Sequence, residues 1–174
     1  MQLQQIKVEF VAEQDRLLMR LASGDRAEVR LWLTRRCVKL LWPLLVKMAE
    51  SAPGIALQPV PEARHALLDM ERERALAKAD FSSPYKEAGR EPLLGAEPVL
   101  VARMHTDRNN RGQNVLALLP LEGQGVNLAL DDTLLHGLCK LLQDAVEAAA
   151  WDMKLVVPTG FAPGTADGAP KTLN

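Results

Sequence analysis

Apolar residues take every second position at Ile6, Val8 and Phe10, again at Leu17, Met19 and Leu21, and a third time at Val29, Leu31 and Leu33. A period of two buries one face of a strand, so the spacing predicts three strands. Turns are expected over residues 13–15 and 23–26, where Gly24 and Asp25 suit a tight hairpin, giving an antiparallel meander. The period then lengthens. Cys37, Leu41, Leu44 and Met48 form one stripe, with Val38, Trp42 and Leu45 beside it, and Thr34 precedes them with a side-chain oxygen able to accept from a first-turn amide. A capped helix over 34–50 follows. Pro43 falls inside it at a cost of about 3 kcal/mol, which predicts a bend wrapping the helix around the sheet.

Much of this order returns 97 residues later. Val126, Leu128 and Leu130 stand where Val29, Leu31 and Leu33 stood, Asp131 replaces Thr34 as the cap, and Asn114, Leu116 and Leu118 answer Leu17, Met19 and Leu21. The counterpart of the first strand reads as Val99, Val101 and Arg103, with the loop at 107–112 a few residues longer. The expected fold class is α+β, with two related β-β-β-α units, each an antiparallel meander plus a packed helix, at 1–50 and 99–157. The connector at 51–98 holds an amphipathic helix over 62–79, whose narrow apolar face is expected at Ala63, Leu67, Met70 and Arg74 or Ala77, and then a Pro-rich extended linker over 81–98. Residues 158–174 have the Pro, Gly, Ala and Thr bias of a flexible tail.

Length and composition set the scale. With 174 residues, 48% hydrophobic and 25% charged, the chain can bury a full core. A net charge of -1 gives no global pull toward a polyanion, but charge is unevenly placed: residues 1–50 carry 9 basic and 6 acidic side chains, residues 93–153 carry 4 and 8. Cys37 and Cys139 belong to no paired motif and are expected as buried free thiols, consistent with a reducing cytoplasm. The first ten residues lack the pattern of a signal peptide, and no apolar run reaches the roughly 18 residues of a membrane span. A cytoplasmic protein is therefore expected.

Candidate chemistry is sparse. His65, His105 and His136 have no partner at metal-ligating spacing, and the phosphate-cradling glycine motifs and the GxSxG nucleophile elbow are missing. Asp131 and Asp132 suit the positive end of a helix. No catalytic residue, cofactor or metal site is expected, and the protein is expected not to be an enzyme.

The strand faces carry more. Arg16, Arg20, Arg30 and Trp32 share the face of the first meander opposite its Leu and Val stripe. Arginines around an aromatic platform suit single-stranded nucleic acid. Two sheet-plus-helix units in tandem resemble, in topology only, the duplicated single-strand binders of the PUR-alpha or Whirly kind, which use more strands per unit. In the second unit both strand faces are apolar, Leu100, Ala102 and Met104 opposing Val99 and Val101, and a sheet without a wet face needs a cover. The expected function is a protein-protein interaction module, an adaptor or assembly factor, working through a sheet face or through the charged helix with Arg72 and Arg74, with self-association as a homo-oligomer also in view. Nucleic-acid binding through the basic face is the alternative.

Overall fold

A computed structural model describes residues 3–24 and 26–158. Among the described residues the protein is mixed α+β, with two sheets and four α-helices. Strands β1 (Leu3–Val11), β2 (Arg16–Ser23) and β3 (Ala27–Leu33) form an antiparallel meander, and helix α1 (Arg35–Glu50) follows at once. A short α2 (Pro53–Ala56) leads into α3 (Pro61–Lys78). Two-residue strands β4 (Glu91–Pro92) and β5 (Val99–Leu100) then lie parallel to β3 along its free edge. The second sheet is another antiparallel meander, β6 (Arg103–Arg108), β7 (Asn114–Leu119) and β8 (Val126–Leu130), followed by α4 (Asp132–Ala148).

The local reasons match the sequence pattern. Thr34 accepts a hydrogen bond from the Cys37 amide at 3.1 Å and Asp131 accepts one from the Leu134 amide at 2.8 Å, so each long helix starts on a side-chain cap. Pro43 sits within α1 on its exposed side, where the carbonyl that loses its amide partner can be met by water. Asp15, with φ of 48°, closes the turn between β1 and β2 in the left-handed region, where aspartate is tolerated better than most side chains.

Three expectations are corrected. Val99 and Leu100 do not open the second meander. Val99 pairs with Leu31 and Leu100 with Trp32, so this stretch belongs to the first sheet, and the second begins at Arg103. Apolar residues run through 99–104 with only Arg103 between them, which hides a change of partner that only a non-local pairing decides. On α3 the buried residues are Leu68 and Ala75, while Met70 is 65% exposed. The packed face is one position round from the expected stripe because α3 rests on α4, with the Arg72 guanidinium donating to Gln143 Oε1 at 3.3 Å. The outer face of the second sheet is not sealed: His105, Asn127 and Ala129 are exposed, and only Ala117 in its central strand is buried.

Both sheets and all four α-helices feed one hydrophobic core. Leu17, Met19 and Leu31 from the first sheet, Leu116, Leu118 and Leu128 from the second, and Leu41, Leu45, Leu138 and Leu142 from α1 and α4 belong to a single cluster. Helix α4 lies against β1 and α1 against β3 and β6, so each long helix bridges the two sheets. The segment after α4 closes one end. Trp151 meets Phe10 edge to face at 6.2 Å, the Trp151 indole donates to Asp15 Oδ1 at 2.9 Å, and the Trp42 indole donates to the Val156 carbonyl at 2.8 Å. Residues 159–174, most of the expected tail, lie outside the described residues.

Two predictions follow from this packing. Leu31→Ala and Leu128→Ala, one in each sheet, should each lower stability by about 2–5 kcal/mol, and both variants should unfold in urea as one transition. Separate transitions for the two sheets would contradict the shared core. Asp15 also accepts a fork of bonds from Arg35 at 3.1 and 2.9 Å. The Trp151 bond first, and Arg35 second, hold its carboxyl below the usual range. A depressed carboxylate stabilises the fold above its unfolded value of about 3.9 and loses that contribution as pH falls through the folded value. The Trp151 indole amide signal should thus hold steady down to about pH 4 and shift in more acid solution, whereas in Asp15→Asn the step should vanish.

Candidate interaction surface

The basic face is built by cross-strand register. Lys7, Arg20 and Arg30 stand in one row, and Glu9, Leu18, Trp32 and Leu100 in the next. Directly opposed arginines repel, so Arg20 beside Arg30 demands counter-charge. Glu9, Glu28 and Glu87 supply it. Arg20 meets Glu87 at 2.9 Å and Glu9 at 3.5 Å, and Lys7 meets Glu9 at 3.0 Å and Glu87 at 3.3 Å. Arg30 lies 3.7 Å from Glu28 and donates to the Ala96 carbonyl. The Nε atoms of Arg20 and Arg30 are buried within these ion pairs but make no hydrogen bond, which marks the pairs as charge neutralisation with loose geometry.

The linker brings this about. Residues 84–97 form a strap across the outer face of the first sheet. The Tyr85 hydroxyl donates to Glu28 at 2.7 Å, and Arg90 donates to the Ser23 carbonyl at 2.7 Å and to Gln5 at 3.3 Å while lying 5.9 Å from the Tyr85 ring. Burial, aided by the Glu28 bond, raises the Tyr85 hydroxyl above its ordinary range. The predicted site residues are therefore divided. Arg20 and Arg30 are half-buried under the strap, Arg16 and Trp32 are half-buried as well, Trp32 with Leu100 as its strand partner, Arg72 is half-buried against α4, and Arg74 is exposed and 3.6 Å from Glu71. Arg16, Arg20, Arg30 and Trp32 do share one face; Arg72 and Arg74 belong to a separate surface on α3.

A groove beside β1 was not anticipated. It has a volume of about 450 Å³ and runs beside β1, with Gln4, Gln5, Ile6, Lys7 and Val8 along one wall, the Lys78–Tyr85 stretch along the other, and Leu134, Gly137, Leu138 and Leu141 of α4 as floor. Strand β1 pairs with β2 alone among the described residues, so roughly half of its amides and carbonyls point to this side. Gly137 sits in the middle of α4, and a Cβ built there meets no heavy atom within 4 Å. Glycine in a helix interior costs about 1 kcal/mol relative to alanine, so the open floor is maintained against helix propensity. A lone glycine inside an otherwise regular helical stripe is the signal that marked this place in the sequence.

Chemistry elsewhere is muted. Cys37 and Cys139 are buried free thiols, each pushed up to about 12 by burial. Among the described residues no cluster of His, Cys, Asp and Glu is arranged to hold a metal ion, and no helix is long and apolar enough to cross a membrane. No protein-family model matches the chain, and no curated protein or solved structure is detectably similar to it.

The thiols give a direct check on core integrity. In the native protein at pH 8, iodoacetamide should leave both cysteines unmodified over hours, and in denaturant it should modify both, because only the thiolate reacts. Rapid native modification of either one would contradict the burial described.

Proposed function

We propose that this protein is a non-enzymatic protein-protein interaction module that receives an extended segment of its partner in the groove beside β1. One observation carries the reading: a nine-residue edge strand flanks an apolar floor held open by Gly137. A segment laid along β1 satisfies the outward amides and carbonyls, and every second side chain drops toward Leu134, Leu138 and Leu141. Backbone bonds supply affinity and the floor supplies selectivity. The rim holds Lys78 beside Asp80, and Lys7 is already paired with Glu9 and Glu87, so the rim is close to neutral and selectivity rests on the apolar floor.

The basic-face alternative loses its main support here, since the charges of Arg20 and Arg30 are already met by Glu9, Glu28 and Glu87. A cytoplasmic setting and self-association stay with the proposal as expectations.

We further infer that the two β-β-β-α stretches are one unit used twice. Leu17 pairs with Leu33 and Leu21 with Val29, and 97 positions on Asn114 pairs with Leu130 and Leu118 with Val126, the same register. The cap bonds of Thr34 and Asp131, and the buried positions Val38, Leu41, Trp42 and Leu45 against Leu135, Leu138, Cys139 and Leu142, keep that offset too. In this reading the counterparts of Ile6 and Val8 are Met104 and Thr106, which face Leu118 and Leu116 as Ile6 and Val8 face Leu21 and Met19.

Gly137 offers the test. Gly137→Ala should raise stability by about 1 kcal/mol and leave the groove open, whereas Gly137→Phe fills it without a clash at the backbone. Tagged wild type and Gly137→Ala should recover the same defined protein from nuclease-treated lysate, and Gly137→Phe should lose it while remaining folded by circular dichroism. A partner retained by Gly137→Phe would move the contact elsewhere. If that partner is instead lost on reversing Arg72 and Arg74 to Glu, the contact is α3; if lysate without nuclease yields nucleic acid and Arg20→Ala with Trp32→Ala abolishes that recovery, the basic face is the site.

A further inference from the structure

A second cavity, of about 300 Å³, lies where the end of α1 and α2 meet α3 and α4. Its apolar walls include Leu67 and Ile55, and its polar lining is His136 and Asp132 from α4 with Glu71 and Arg74 from α3. The position is unusual for the histidine. His136 is 4% exposed, and its ring makes no hydrogen bond among the described residues, although it lines the cavity. Its nitrogens are not among the sealed, unpaired polar atoms of the described residues, so they open onto this space and can meet a ligand there.

The charges say which kind. Glu71 and Arg74 face one another at 3.6 Å and offset each other. Asp132, in the first turn of α4, has no ion-pair partner among the described residues, so the lining itself carries one net negative charge, with the Arg72 guanidinium outside it near His136. The cavity also abuts the C-terminal end of α1 at Ala49, the partially negative end of that helix. Burial lowers His136 below the ordinary histidine range, an effect that Asp132 and Glu71 oppose and Arg72 reinforces. A neutral imidazole has a lone pair to offer. The space is at the small end of ligand-binding cavities, which run from about 300 to 1,000 Å³.

We propose that this cavity binds a small organic ammonium ion with an apolar body, the ammonium held between the Asp132 carboxylate and the His136 ring and the body against Leu67 and Ile55. The site is separate from the β1 groove, and the proposal does not depend on a partner protein binding there.

Three one-ring compounds that differ in charge test it on the full chain: benzylamine, neutral benzyl alcohol and anionic benzoate, each titrated while the histidine ring signals are followed by NMR. Benzylamine should move the His136 signals saturably and leave those of His65 and His105 in place. Benzyl alcohol should bind at least about tenfold more weakly, and benzoate should not saturate, since one charge-assisted bond is worth about a factor of ten. Asp132→Asn, a change at an exposed position that leaves the fold intact, should weaken benzylamine about tenfold. The proposal is overturned if benzylamine leaves His136 unmoved, if all three compounds shift it alike, or if Asp132→Asn binds benzylamine as tightly as wild type.

Discussion

Two successive amides join the two sheets of this protein. The Val101 amide donates to the Trp32 carbonyl at 3.0 Å, in the first sheet, and the Ala102 amide donates to the Leu119 carbonyl at 2.9 Å, in the second. Neighbouring N–H groups of an extended chain point to opposite sides, so one strand segment can serve two sheets at once. Because this segment pairs with β3 on one side and runs into β6 on the other, the meanders lie edge to edge and offer their apolar faces to the same helices. The shared core depends on that. Were residues 99–102 a free linker, each meander would bury its stripe under a single helix, and small sheets of three strands are marginal alone.

The strap over the first sheet is a second consequence of the same geometry. To reach the edge of β3, the chain leaving α3 crosses the outer face of the first sheet, where opposed arginines need neutralising. Glu87, Tyr85 and Arg90 fasten it there. The start of that crossing, from Lys78 to Tyr85, becomes the outer wall of the groove beside β1. The segment that closes the basic face thus also builds the groove, and the two features exclude and create binding surface in one stroke.

Much of the local structure was legible in advance, element by element. The strand stripes of Ile6 to Phe10, Leu17 to Leu21 and Val29 to Leu33, both helix caps, the long helices and the buried thiols are all places where a short-range pattern has one low-energy solution. The errors have a common cause. Val99 and Leu100 belong to an apolar run that fits either sheet, and only the free edge of β3 decided their partner. Leu68 displaced Met70 as the buried residue of α3 because the position of α4 set the packed face. On the basic face Glu9 and Glu28 meet the arginines through strand pairing, and Glu87 arrives only when the linker folds back across the sheet.

For this protein the order of hydrophobic and capping residues by itself determined which segments become strands and helices, since those choices rest on periodicity and on bonds spanning three or four residues. The tertiary structure alone decided which edges stay unpaired, which charges are already spent, and where space is left. A groove exists because β1 has no outer neighbour among the described residues and Gly137 has no side chain, and a cavity exists because the end of α1 and α2 leave space against α3 and α4 beside His136. Such spaces are differences between surfaces contributed by distant segments, and no local pattern encodes a difference between segments that have not yet met.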